Sequence, residues 1–441
     1  MKNERSIQQN HSCSRRRFLQ QSAATSVAVC GALSLARNVH AAGSDTIRVG
    51  LIGCGGRGSG AAINAMNSKA NVKLVAMADA FKDSLENSLA NITKESPNRI
   101  DVPENRRFVG LDAYQKLIDS DVDLVLLCTP PGFRPMQFEA AVKAGKHVFL
   151  EKPLATDAPG VRRIMAANEE AKRQGLAVAV GHHFRHDERF RESIQRIHGG
   201  AIGDLTYLRS YYTDPELWIR PRLPEQSEMQ YQIRNWYYFT WLSGDHIVEQ
   251  DVHNIDISNW IAKGHPVEAQ GVGGRQVRVG KEVGEIYDHH AVEFIYPNGL
   301  RAFNYYRQIS GCWQAYSNHA HGAKGHVDLM QYGDHRLYVG AERQGRWKQG
   351  ADGHQTEMDD LLASLLAGKP YNEADWAAES TMTAILGRMA TYSGQLLKWD
   401  DAINSQLNLT PKSLAWNSPP LVKPGADGCY ACAMPGITKA W

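Results

Sequence analysis

The residues best suited to chemistry are a lysine and a histidine far apart in the chain. Lys152 follows the short apolar run His147-Val-Phe-Leu150 inside Glu151-Lys152-Pro153, and His253 stands four residues after Glu249. Residues four apart on a helix share a face, so Glu249 and His253 can point into one cleft. Histidine is the side chain best able to take a hydroxyl proton near neutral pH, and an ammonium can hold an oxygen as negative charge develops on it. That combination suits oxidation of a secondary alcohol, provided a hydride acceptor lies beside it.

The acceptor is suggested by a second pattern. Thr46-Ile-Arg-Val-Gly-Leu-Ile52 is a β-rich run followed by Gly53-Cys-Gly55-Gly56-Arg57-Gly58 and a helix-compatible stretch, Ser59 to Asn67. Strand, G-x-G-x-x-G and helix make a dinucleotide site: the glycines allow a tight turn, close approach of a pyrophosphate and helix-on-strand packing. The next run, Val72 to Ala78, ends at Asp79, 21 residues after Gly58. A carboxylate there accepts ribose hydroxyls and repels a 2′-phosphate, which favours NAD over NADP.

These residues need a frame to hold them. Val122 to Cys128 is continuously apolar, as a central parallel strand requires, and Thr129-Pro130-Pro131 ends it. Arg134 to Ala144 reads as a helix; His147 to Leu150 and Leu176 to Val180 read as further strands, the second leading into Gly181-His-His-Phe-Arg185-His186. Ligands in open α/β sheets lie outside the carboxyl ends of the strands, which is where Lys152 falls. From about residue 186 the pattern becomes aromatic and alternating, in Thr206–Tyr212, His290–Tyr296 and Leu300–Tyr306, the last two joined by Pro297-Asn298-Gly299. The expected fold is therefore α/β: an N-terminal Rossmann doubly wound parallel sheet, then an α+β domain with an open, mainly antiparallel sheet. Helices are expected from about His246 to Ile261, Thr356 to Leu366 and Trp376 to Ser393, before a Pro- and Gly-containing tail.

Gly53-x-Gly55-x-x-Gly58, Asp79, Thr129-Pro130-Pro131, Glu151-Lys152-Pro153 and Glu249-x-x-x-His253-x-x-Asp256 together resemble the glucose–fructose oxidoreductase, inositol dehydrogenase and rhizopine-catabolism (Gfo/Idh/MocA) family, over roughly residues 46 to 400. The resemblance implies hydride transfer at a sugar or cyclitol carbon. It makes Lys152 the catalytic lysine and His253 the acid/base, with the second domain binding substrate and often mediating oligomerisation. Three positions depart from the pattern: Glu249 where Asp is usual, Asp251 where Gly is usual, and Arg134 where a His commonly follows Thr-Pro-Pro. They leave cofactor use intact and bear on the substrate. The exported NAD-dependent α-N-acetylgalactosaminidases are similar too, and work by oxidation, elimination, hydration and re-reduction. Their branch replaces the lysine that stands here as Lys152, so sugar oxidoreductase is the first reading, redox-neutral glycosidase the alternative, and a non-catalytic NAD- or sugar-binding protein a third.

Further residues are placed to bind. Arg185 and His186, after the last Rossmann strand, either reach the cofactor or substrate or cap the domain junction; Asp256 shares the helix of His253. Trp236, Tyr237, Tyr238 and Trp241 lie in an aromatic insertion, where some stack on a sugar ring or simply fill a core. His182-x-x-x-His186 has helical ligand spacing, but it follows a strand directly, so no metal is expected. Cys429-Tyr-Ala-Cys432 has no second pair, which argues against a zinc or redox role.

The chain has 441 residues, 43% of them hydrophobic, with 49 Lys and Arg against 47 Asp and Glu. That balance is too neutral for phosphate-backbone binding, so nucleic acid is not an expected partner. Residues 1–42 differ from the rest: Ser14-Arg15-Arg16-Arg17-Phe18-Leu19-Gln20 precedes the small and apolar stretch Ser22 to Ala36, which resembles a twin-arginine export signal cleaved near Ala41 or Ala42. Cys30 follows bulky Val29, which disfavours a lipoprotein reading. No other apolar run reaches membrane length. The expected organisation is thus a signal over 1–42, an NAD-binding domain over 43–185, a substrate and oligomerisation domain over 186–400 and a tail over 401–441. Export implies a periplasmic protein that retains and recycles its NAD while acting on a carbohydrate, as a dimer or tetramer.

Overall fold

A computed structural model describes residues Thr46–Trp441, which form one compact unit; the expected export signal lies outside the described residues. Six strands, β1 (Ile47–Ile52), β2 (Val72–Asp79), β3 (Arg107–Val109), β4 (Leu124–Leu127), β5 (His147–Leu150) and β6 (Val178–Val180), form a parallel sheet. Its order is β3-β2-β1-β4-β5-β6, the doubly wound arrangement with its switch point between β1 and β4. The strands are apolar throughout because helices cover both faces: Val49, Leu51, Leu124 and Leu126 are buried, as are Val125, Leu127, Val148 and Leu150 on the opposite side.

The second sheet has nine strands: β7 (Leu205–Asp214), β8 (Glu268–Gly274), β9 (His289–Ile295), β10 (Arg301–Gln308), β11 (Ala315–Gly322), β12 (Gly325–Met330), β13 (His335–Val339), β14 (Glu342–Trp347) and β15 (Leu397–Lys398). They lie in the order β14-β13-β12-β11-β7-β10-β9-β8-β15. Every pairing is antiparallel except β10 on β7, which run parallel through eight registered pairs from Arg301↔Tyr207 to Gln308↔Asp214. The mainly antiparallel expectation holds, and the parallel pair arises because the chain re-enters the sheet at β8 and returns through β9 to lay β10 beside β7. One face is covered by helices; the other exposes Tyr305, Trp313 and Val272.

Two expected features differ. The helix expected over His246–Ile261 is broken into His246–Glu249 and Val252–Ala262, with Gln250 and Asp251 between them. No Gly or Pro marks the break, and Glu249, Gln250 and Asp251 are all compatible with a continuous helix, which hides it from the sequence. The division after residue 185 is also crossed twice. Helix Gly353–Leu366 returns to the first sheet, where Met358, Leu361, Leu362 and Leu365 join the cluster of Val49, Leu51 and Leu126. Helix Ala374–Ser393, buried along nearly its whole length, packs against helix Ala158–Arg173 and against β8 and β9. The tail beyond Ile403 is irregular yet packed: Leu409, Leu414, Trp416 and Val422 pack on the buried cluster that contains Tyr231 and Trp241, and Tyr430 is only 1% exposed. Among the described residues no helix is long and apolar enough to cross a membrane.

Candidate active site

The carboxyl ends of β1, β2, β4 and β5 open into a cleft of about 690 Å³ that continues under the 214–238 insertion. At its floor the glycine turn has the shape a dinucleotide needs. Gly53 has φ +95°, a conformation that favours glycine, and a side chain at Gly58 would come within 1.9 Å of the Gly53 carbonyl. A Cβ on Gly55 or Gly56 would instead meet nothing within 4 Å, so bare backbone at the start of helix Gly56–Asn67 faces the cleft. The Asp79 carboxylate is fixed by the N–H groups of Cys54 (2.7 Å) and Phe81 (2.8 Å), leaving lone pairs free for ribose hydroxyls. Burial pushes its pKa up, and these two donors oppose that. Thr129 and Pro130 line the same cleft; Pro131 opens a short 3-10 turn and does not. These residues fit NAD.

Arg57, the non-glycine residue of the turn, is drawn inward to Glu151 at 2.7 Å, with Glu357 at 3.9 Å. Burial would raise the Glu151 pKa, but the charges of Arg57, Lys152 and Arg134 hold it below the usual range. Burial and the Glu151 charge push the Glu357 pKa well up, the opposite direction from Glu151. Arg134 is itself buried and donates to the carbonyls of Pro153 and Thr129, tying the end of β4 to the segment after β5.

Lys152, at the end of β5, reaches across to the broken helix. Its Nζ donates to the Glu249 carbonyl at 2.6 Å and to Glu249 Oε1 at 3.1 Å, and both side chains are nearly buried. His253 sits one turn further on, in the same cleft and 8% exposed, with Nδ1 buried and unpartnered. Its ring meets His183 edge-on at 5.0 Å and His182 at 5.7 Å. Burial first, and then the Lys152 charge, hold its pKa well below 6.5, so the imidazole is neutral at pH 7. Lys152, Glu249 and His253 are therefore brought together as a cation, its acceptor and a neutral base.

The other expected binding residues divide. Trp236 and Tyr237 line the cleft, Tyr237 fixed by its hydroxyl donating to Gln308 at 2.9 Å. Arg185, His186 and Asp256 do not line it. Arg185 makes a bidentate pair with Asp256, both closest contacts 2.9 Å, and its guanidinium lies over the Trp376 ring at 3.8 Å. Asp256 also accepts from Ser380. His186 is held between Asp360 (2.7 Å) and Glu373 (3.1 Å). All three join the halves of the molecule, the capping role their position left open. His183–His186 is a 3-10 turn, so His182 and His186 do not share a helical face.

Several cleft residues carry no local motif. His354 stacks on His183 at 3.8 Å, Tyr212 donates to Gln250 at 2.9 Å, and Trp218 and Tyr332 stand at the mouth, 41% and 69% exposed. Only the richness of 214–241 in Trp, Tyr and Arg hints at part of this wall.

Comparison with known proteins agrees with this geometry. Residues 47–182 match the GFO_IDH_MocA family model, described as an oxidoreductase family with an NAD-binding Rossmann fold. An inositol 2-dehydrogenase of Rhizobium meliloti is 27% identical over 250 residues, 57% of this chain and 64% of that protein. A myo-inositol 2-dehydrogenase of Thermotoga maritima is 28% identical over 244 residues, 55% and 62% of the two chains. The chain thus spans less than two thirds of the length of these relatives. In fold it is similar to an aldose–aldose oxidoreductase of Caulobacter crescentus (TM-score 0.63, 19% identity, 80% of this chain and 99% of that one). It is also similar to a scyllo-inositol dehydrogenase of Lactobacillus casei (TM-score 0.60, 19% identity, 81% and 99%). Residues 47–182 thus match the NAD-binding Rossmann segment of the Gfo/Idh/MocA oxidoreductase family.

Proposed function

We propose that this protein oxidises a secondary alcohol of a sugar or sugar derivative by hydride transfer, and that it works outside the cytoplasm with a retained, internally recycled NAD. The observation that carries the reading is the meeting of Lys152, Glu249 and His253 in the cleft that begins at the glycine turn. Bound NAD supplies the hydride acceptor. Gly53, Gly55, Gly56 and Gly58 would hold its pyrophosphate and Asp79 its ribose. Lys152, aimed by two acceptors on Glu249, holds the substrate oxygen as charge builds on it, and neutral His253 takes the hydroxyl proton. The carbinol carbon thereby becomes a ketone; a second carbonyl compound taking up hydride and proton resets the site.

Trp218, Trp236, Tyr237 and Tyr332 supply ring-sized apolar surfaces suited to the faces of a sugar. The twin-arginine pattern at Ser14–Gln20 motivates the periplasmic assignment, and a periplasm offers no large pool of free nicotinamide to exchange with. The exposed aromatic face of the second sheet, with Tyr305 and Trp313, suits a homo-oligomer interface, which light scattering on the purified protein would test.

The deciding experiment is mass spectrometry of products after incubation with a panel of sugars and glycosides, beside assay of nicotinamide released on denaturation. Keto-sugar or sugar acid with co-purifying NAD is expected. Free monosaccharide without keto product would replace this reading with the redox-neutral glycosidase. Failure to carry or bind NAD would end it.

A further inference from the structure

Outside the cleft, three metal-ligating side chains converge in the buried interior. Asp245 Oδ1 lies 3.4 Å from His290 Nε2 and 3.6 Å from His246 Nε2, and the donor atoms all fall within 4.8 Å of one another. None of the three residues is more than 2% exposed. Neither ring nitrogen of His246 has a hydrogen-bond partner, nor has His290 Nε2, whereas His290 Nδ1 is engaged by the Thr391 hydroxyl at 2.9 Å. Buried polar atoms without partners are costly, and two of these, the Nε2 atoms of His246 and His290, face the same Asp245 oxygen, as ligands of one ion would.

The charge around them asks for the same thing. The Asp245 carboxylate accepts from the His246 N–H, the Tyr287 N–H and the Tyr392 hydroxyl, all neutral donors. The nearby buried guanidiniums are spent on other oxygens: Arg278 on the Tyr287 carbonyl and Gln308, Arg388 on the carbonyls of Thr156 and Gly244. No cation among the described residues hydrogen-bonds this buried carboxylate. Four ligands at 2.0–2.2 Å around a tetrahedral ion lie about 3.3–3.6 Å apart, the spacing that Asp245 already keeps from both imidazoles.

We propose that Asp245, His246 and His290 form a divalent-cation site of the zinc class, with one position left for water. Two imidazole nitrogens and one carboxylate oxygen are donors zinc favours, and the Thr391 contact fixes the His290 ring from outside the site. The ion would pin the start of helix His246–Glu249 to β9. It would thereby fix the short segment that delivers Glu249 to Lys152 from behind, without touching substrate.

The test uses the full chain, purified without a histidine tag, equilibrated with zinc sulfate and desalted. Elemental analysis is expected to give about one zinc per chain, falling at least tenfold in His246→Ala and His290→Ala while NAD stays bound. Zinc-edge X-ray absorption on the unaltered chain is expected to show only nitrogen and oxygen neighbours, with imidazole scattering. That measurement decides the matter even if both variants misfold. A chain that takes up no zinc, equal zinc in both folded variants, or sulfur neighbours pointing to Cys429 and Cys432 would overturn the proposal.

Discussion

Replacing Lys152 by Met removes the one ammonium in the catalytic group while keeping most of the side-chain volume. Two effects follow from the geometry. Lys152 is the donor placed to hold the developing oxyanion, and loss of one such donor costs about 2.7–4 kcal/mol, a 10²–10³-fold fall in kcat. Its charge is also the second cause, after burial, that holds His253 below its ordinary pKa. Taking the charge away favours imidazolium, so the His253 pKa rises. Because the base must be neutral to accept a proton, the acidic limb of the kcat/KM profile must then move to higher pH. The assay is reduction of bound NAD by the sugar found in the panel, followed by absorbance in single turnovers across pH, with bound NAD measured separately. Full NAD occupancy with turnover at least a hundredfold slower is expected. Turnover within tenfold of the parent, or an acidic limb that stays or moves to lower pH, would refute the roles given to Lys152 and His253.

Other outcomes follow from the same structure. Arg185→Met leaves Asp256 buried without its cation and should cost about 3–5 kcal/mol in urea unfolding at pH 7, with KM unchanged. Burial would raise the Asp256 pKa, but Arg185 holds it low. The stability this adds is therefore present above the unfolded carboxylate pKa and lost as pH falls through the folded one, so the variant's deficit should shrink in acid. Gly56→Val meets open space and should keep its Tm while losing NAD, whereas Gly58→Ala strikes the Gly53 carbonyl and should lose both. Leu361→Ala, inside the core that helix Gly353–Leu366 shares with the first sheet, should cost about 2–5 kcal/mol by thermal or urea melts, although it lies far along the chain from that sheet.

Much of the Rossmann half is legible because its signals are local. His147–Leu150 appears as β5 with the expected limits, β2 ends on Asp79 as expected, and the glycines of the turn keep the spacing the phosphate site needs. What the sequence leaves open depends on contacts between distant segments. Arg185 and Asp256 are each good binding candidates until folding presents them to each other between Trp260 and Trp376, which consumes both charges. His354 carries no motif and matters only because its helix returns to the glycine turn and stacks it on His183.

The break after Glu249 is the clearest case of a tertiary interaction overriding a local pattern, and it has a chemical consequence. Inside an uninterrupted helix the Glu249 carbonyl would accept from the N–H four residues further on. Interruption at Gln250–Asp251 leaves the Glu249 carbonyl available to Lys152, alongside the Glu249 side chain. Lys152 is thus held by backbone as well as by carboxylate, and the backbone half of that grip does not depend on side-chain length. Glu249 can therefore stand where the pattern it resembles has Asp: the extra methylene changes where the carboxylate reaches, while the carbonyl still fixes the ammonium. Glu249→Asp should accordingly shift KM more than kcat. Glu249→Ala should retain part of the lysine's positioning, and a complete loss of turnover there would show that the carboxylate alone holds Lys152.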